Sequence, residues 1–438
     1  MKQENSPAPE AYTVGALFFI CGFIAWLNAT LIPYLKVACE LSNFQAYFVT
    51  LAFYLACVGA FLPSLRLLRK TDAESGMVMG LMAMSAGALI FVPAALLRAY
   101  PLFLLGLAAL GAGLGLLQAA ASPCIAAFAE TKGAPRCCTV AGICSKAAGV
   151  AGTLAVGGIL FYRMSSLEAS IQISEGVSRA AELDTLSRKA VLPCLAIMLA
   201  LAAAAFWVKS LPLSGVSSAE KKVDGGILRS PRFWLGVSAL FLYAGAEVTA
   251  VGSIALYGKS AGMSFEVAGA LPACWLFAAI LGCLLGVFAV PNVPKRISTE
   301  VILAFCAALC VIFSVVAVNT DGLLSVVFVA LLGLSGALVW PSVFSLSAKG
   351  LGGYTRAGQL ILATGAAGGA LLPLAYGYLA DTVGYRQAYQ LLIPCYAAML
   401  LYAAVNLPSF GGKSRRSEAA ENLTTSQNEK TPCPSPST

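Results

Sequence analysis

The chain has 438 residues, 59% of them hydrophobic and only 11% charged, with a mean hydropathy of +0.83. Soluble globular domains carry about 25% charged residues, so this composition excludes an ordinary water-soluble fold and points to the lipid bilayer. The formal net charge of +8 comes without any basic stripe interleaved with aromatics, which argues against nucleic acid as a partner, and the chain contains no histidine.

Taken in chain order, apolar runs long enough to cross a bilayer as helices fall at about 12–35, 45–66, 77–97, 101–127, 137–161, 190–208, 232–257, 267–290, 300–318, 323–346, 358–380 and 388–407. The first run is too long for a cleavable signal and is expected to stay in the mature protein. Between the fifth and sixth runs, residues 162–189 hold Glu168, Glu175, Glu182 and Asp184, which predicts a short amphipathic helix outside the bilayer. The polar, basic stretch 209–231 divides the chain. The expected domains are an N-terminal six-helix bundle over 1–208, a cytoplasmic linker over 209–231, a C-terminal six-helix bundle over 232–410 and a disordered cytoplasmic tail over 411–438. The predicted fold class is an all-α membrane protein of twelve transmembrane helices in two bundles.

Twelve crossings return both ends of the chain to one side. The segments on that side carry 19 Lys and Arg against 8 on the other. Positive loops stay cytoplasmic, so the reading is a multi-pass protein of the inner (plasma) membrane with both termini in the cytoplasm.

Most of the 14 cysteines sit singly inside apolar runs and read as small buried hydrophobes. Without histidine, no metal site is called. No nucleotide-binding loop and no paired intramembrane carboxylates occur, so neither a cofactor nor an enzymatic step is expected.

An internal repeat supports the division into halves. Gly115 to Pro123 resembles Gly333 to Pro341, and the same shift of 218 residues carries Ala29 onto Glu247. Such symmetry is characteristic of carriers whose substrate site lies near the midplane between the halves. Pro33, Pro123 and Pro341 are expected to allow local helix distortion.

Only Lys146 and Glu247 place a charge deep inside these runs, one in each half. A charge at a helix centre costs roughly 2.5–3.5 kcal/mol even on lenient insertion scales, so such residues face a partner, a cavity or a substrate. Tyr243 and Glu247 are four apart and share a helix face, offering a ring and strong acceptors to a polyhydroxylated ligand. Glu247, together with Lys146, is also a proton-coupling candidate. Lys146 either snorkels to the interface or neutralises Glu247 across a cavity. Gln118 and Ser122, four apart ahead of Pro123, together with Asn28 and Gln359, are candidate substrate contacts, with interhelical bonding as the rival reading. Tyr54, Trp275 and Trp340 are candidate stacking platforms for a sugar ring, against packing as the rival.

Four stretches carry a family resemblance: Phe18 to Pro33, Gly115 to Pro123 (GLLQAAASP), Leu242 to Val248 (LYAGAEV), and Trp340-Pro341 through Gly377-Tyr378-Leu379-Ala380-Asp381. In these the chain resembles the major facilitator superfamily, and within it the fucose–galactose–glucose:proton symporters. The resemblance implies alternating access between two six-helix bundles. It also implies proton-coupled import of a monosaccharide of the glucose, galactose or fucose type, by a monomer. The chain departs from that pattern in three places. The family's helix-one aspartate, tied to proton coupling, falls at Ala29; an arginine of helix eight falls at Cys283; an asparagine of helix four falls at Ser122. These departures keep an alternative open: a uniporter, or a carrier of an amino sugar, a sugar acid or another small polar metabolite.

Overall fold

In hydrocarbon every backbone N–H and C=O must find its partner inside the protein, and a helix does this within one segment. The computed structural model describes residues 8–68, 71–132, 134–210, 231–292, 298–348 and 356–407, and these form helices throughout. Residues 211–230 of the expected linker and residues 408–438, which include the expected tail, lie outside the described residues. In chain order the helices of the first half are α1 (Ala8–Ala38), α2 (Asn43–Ala46), α3 (Phe48–Leu67), α4 (Ala73–Leu97), α5 (Tyr100–Lys132), α6 (Ala134–Leu160), α7 (Met164–Ile173), α8 (Gly176–Arg188) and α9 (Val191–Lys209). The second half has α10 (Pro231–Ser260), α11 (Phe265–Ala268), α12 (Leu271–Asn292), α13 (Thr299–Asn319), α14 (Gly322–Gly336), α15 (Val339–Ala348), α16 (Arg356–Val383), α17 (Tyr385–Ala388) and α18 (Leu392–Asn406).

Eleven stretches among the described residues are long and apolar enough to cross a membrane. The twelfth crossing is α16, with 28 residues. Leu55, Leu105, Phe206, Leu285 and Leu371 stand exposed on the outer surface. Large exposed apolar faces suit a protein whose flanks are covered by lipid.

In the first half α4 packs on α5 and α9, α3 on α5, and α1 on α6; in the second α10 packs on α16, α12 on α14, and α13 on α14 and α18. The halves meet along α1–α10, α3–α16 and α6–α12. The glycine cluster of α5 explains its close seams: a Cβ at Gly111 would overlap the Phe53 carbonyl, and one at Gly115 would crowd that of Cys57. Small residues let membrane helices touch backbone to backbone, where packing replaces the hydrophobic drive.

Of the three singled-out prolines, only Pro341 accompanies a break. α1 runs through Pro33 and α5 through Pro123, whereas the tenth crossing is interrupted between Gly336 and Val339. Pro341 has no N–H to offer the carbonyl of Ala337 one turn earlier. The freed carbonyls are met from neighbouring helices: Tyr243 Oη–H donates to Gly336 O at 2.6 Å, and Cys283 Sγ–H reaches Ala337 O at 3.7 Å.

Residues 162–189 hold two helices instead of the single one expected. The first ends where Ser174 turns extended, and Gly176 opens the second with a φ of +59°, a left-handed conformation that favours glycine. The second lies against the bundle: Tyr34 Oη–H donates to Leu186 O at 2.7 Å, and Ser187 Oγ–H to Ala95 O.

Candidate functional site

Lys146 stands midway along α6 and Glu247 midway along α10, so neither reaches a helix end and snorkelling is not its solution. Their helices belong to different halves, and the Lys146 ammonium lies 3.2 Å from Glu247 Oε1. Each residue is 8% exposed. The ammonium approaches Oε1 off the hydrogen-bonding direction, and no donor among the described residues is aligned on that oxygen. The carboxylate is therefore neutralised while keeping acceptor capacity for a ligand hydroxyl, a water or a proton.

Local sequence sets this geometry. A Cβ at Gly22 of α1 would overlap the backbone of Ser145, so α1 and α6 touch backbone to backbone one residue before Lys146. Trp26, one turn along α1, donates its indole N–H to Ser145 Oγ at 3.3 Å, and the Lys146 ammonium lies 5.7 Å from its ring centre. That distance is within cation–π range. Trp275 of α12 lies against Trp26 with ring centres 6.3 Å apart, so two indoles bridge the halves. Trp275 is 1% exposed, and its indole N–H has no acceptor among the described residues.

The other candidates divide. Tyr243 is buried one turn from Glu247, but its hydroxyl is spent on Gly336 O, and its ring sits 6.4 Å from that of Trp340. Asn28 is buried, donates to Ala25 O of its own helix at 3.0 Å, and faces the inside of the N-terminal half. There it lines a cavity of about 40 Å³ with Ile24, Leu31, Phe53, Leu110 and Cys194. This space is apolar apart from Asn28; it has room for a few waters and is far smaller than typical ligand pockets of about 300–1,000 Å³. Gln118 is exposed. Ser122 lies in α5 and Gln359 in α16, and their side chains lie outside those described. The structure thus joins Lys146 with Glu247 and leaves Asn28 facing a different space.

Sequence reasoning missed Trp26 and Ser145. The signal was present as Gly22 four residues before Trp26, a small residue and an aromatic on one face of α1. What it touches on α6 could not be read from α1 alone.

The face opposite the described chain ends is closed by two matching contacts. Helix α2, N-capped by Ser42, turns its first amides onto the end of α16: Asn43 N–H and Phe44 N–H donate to the Asp381 carboxylate at 3.1 and 2.8 Å. Helix α11, N-capped by Ser264, meets the segment after α6. There Phe265 N–H donates to Ser165 Oγ at 2.9 Å, while Ser165 N–H and Oγ–H donate to Glu266 at 3.0 and 2.6 Å. Lys259 pairs with Glu168 at 2.7 Å beside the second contact. Each half therefore lends a serine-capped turn to the other.

Two six-helix bundles that meet around a buried cross-bundle charge pair, and close on one face through their loops, define a membrane carrier. The chain belongs to the Major Facilitator Superfamily, whose pattern matches residues 14–360. It is 31% identical over 403 residues to a protein named glucose/galactose transporter from Brucella abortus (strain 9-941), covering 90% of this chain and 93% of that one. It is 25% identical to the L-fucose-proton symporter of Escherichia coli K12, covering 89% and 91%. Among solved structures, the fold resembles the superfamily transporter FucP in its outward conformation, with a TM-score of 0.66 at 23% identity over 90% of this chain and 97% of that one. It also resembles a bacterial homologue of the lysosomal transporter Spinster in an inward-facing state, with a TM-score of 0.64 at 14% identity over 91% and 96%.

Proposed function

We propose that this protein carries a monosaccharide of the glucose, galactose or fucose type across the inner membrane by alternating access, exchanging a proton at Glu247. The observation that carries the reading is the Lys146–Glu247 contact, held at mid-helix depth by opposite halves. Two bodies that rock about a midplane site must remake whatever bridges them there. The names borne by the relatives, a glucose/galactose transporter and an L-fucose-proton symporter, favour a sugar as cargo and a proton as its companion. With Ala29 buried where the resemblance expects an aspartate, Glu247 is the carboxylate left at the centre to take that proton.

The protein works as a monomer in the bilayer and performs no bond-making step; its partners are the sugar, the proton and lipid, and no nucleic acid. The bundles span 1–208 and 232–410, joined by a cytoplasmic linker over 209–231 and followed by a cytoplasmic tail over 411–438. The excess of Lys and Arg on the side of the chain ends favours cytoplasmic termini. In that orientation the face closed by Asp381 and Ser165 is external, and the described conformation is shut to the outside.

The test is uptake of labelled D-glucose, D-galactose and L-fucose by proteoliposomes, with and without an inward proton gradient. Saturable uptake of at least one sugar, raised by the gradient, is expected. Failure to move any sugar, neutral or acidic, would overturn the reading.

A further inference from the structure

We propose that the sugar carried at the Lys146–Glu247 site bears one acid group and crosses together with one proton, so that the loaded site holds no net charge. The proposal rests on the proton-exchanging sugar-carrier reading above and changes its cargo from the neutral hexose to the corresponding sugar acid.

It follows from counting charge at the site in each state. The site holds one ammonium and one carboxylate 3.2 Å apart, a neutral pair. The only other buried charge among the described residues is Glu300, in the first turn of α13 and engaged in interactions of its own. Among the described residues, the titratable groups around Glu247 include Lys146 of α6, Tyr54 of α3, Tyr243 of its own helix, Cys283 of α12, Cys310 of α13 and Tyr396 of α18. Phenols and thiols are ordinarily neutral near pH 7, so among the described residues Lys146 is the fixed charge facing Glu247.

When Glu247 takes up a proton, Lys146 loses its counter-charge at mid-membrane depth. A neutral sugar cannot replace it, and a lone buried ammonium is strongly disfavoured. A carboxylate on the cargo can replace it, through charge-assisted hydrogen bonds from the ammonium. The loaded site then contains ammonium, cargo carboxylate and neutral Glu247, and its net charge is again zero. The proton comes from water on the side where the cargo enters, sits on Glu247 during the crossing, and leaves to water on the far side. The pair re-forms as the acid sugar departs.

The surroundings suit such a ligand. Trp26 stands 5.7 Å from the ammonium and offers an apolar face to a pyranose ring. Ala29 supplies no second carboxylate to repel the acid group.

The experiment offers wild-type proteoliposomes labelled D-glucuronate and D-galacturonate beside D-glucose, D-galactose and L-fucose. An inward proton gradient and a valinomycin-set potassium potential are imposed separately. The expected result is uronate accumulation of about tenfold for a one-unit pH gradient, the ratio set by one proton per anion, with no response to the potential. Lys146→Gln should cut uronate uptake at least about tenfold, with Lys146→Arg keeping part of it, as loss of a charge-assisted contact implies. Detergent melting of both variants checks that they fold, and the wild-type comparison stands without them. Uptake of neutral sugars with no carriage of or competition by uronates overturns this inference and leaves the sugar-carrier reading intact. Uronate uptake driven by the potential overturns it as well. No uptake of either class overturns both.

Discussion

Lys146 and Glu247 are tolerable in the middle of their helices because each neutralises the other. Removing one partner of a buried pair leaves an uncompensated charge and costs about 3–5 kcal/mol, whereas removing both can be close to neutral. Lys146→Met and Glu247→Gln should therefore each lower the melting temperature in detergent, and the double variant should regain most of the loss. Strictly additive losses would mean that the two side chains do not act as a pair in solution. Trp26 acts one step further out, by seating Ser145 and flanking the ammonium. Gly149 of α6 faces the same indole, so Gly149→Val would push Trp26 from its place. That variant should lose sugar uptake well before it loses its helix content by circular dichroism.

At the scale of elements, the broken tenth crossing and the two serine-capped turns carry the moving parts. Tyr243 holds the break by meeting Gly336 O. Tyr243→Phe leaves that carbonyl without its donor, a cost of about 1–3 kcal/mol, and should appear as a lower melting temperature. At the opposite face, Asp381 accepts the two amides that open α2, where a carboxylate is favoured by the exposed N–H groups. Asp381→Asn weakens both hydrogen bonds and removes the charge. It should raise the fraction of molecules open on that face, read as a longer spin-label distance between positions 40 and 386. An unchanged distance distribution would show that the α2–Asp381 contact does not hold the face shut.

At the scale of the molecule, the closed face and the central pair must both open in each cycle if the halves rock. A reversible cross-link between cysteines introduced at Ser165 and Glu266, whose side chains already touch, should stop uptake. Reduction should restore it, and the melting temperature should not fall while the link is in place. Continued uptake through the cross-linked protein would mean that cargo crosses without separation of α7 from α11. The native cysteines are a control to run in parallel, since several lie buried within the helices.

Much of this was legible before any coordinates. Apolar length and the spacing of charges mark the crossings, because the hydrocarbon layer imposes one requirement on every segment, and a window of about twenty residues suffices to read it. The isolation of Lys146 and Glu247 was equally plain, since a lone charge in an apolar run stands out in one dimension. That they meet, and that Asn28 turns instead toward a small cavity in its own half, depends on which faces α1, α6 and α10 present to one another. The break at Pro341 was one of three prolines with the same local chemistry. It alone accompanies an interruption, with Tyr243 and Cys283 supplying donors from outside the segment. The sequence by itself determined the membrane class, the number of crossings and the two charged residues that matter. Only the tertiary structure decided their partnership and the closure of one face, because both are contacts between residues a hundred or more positions apart.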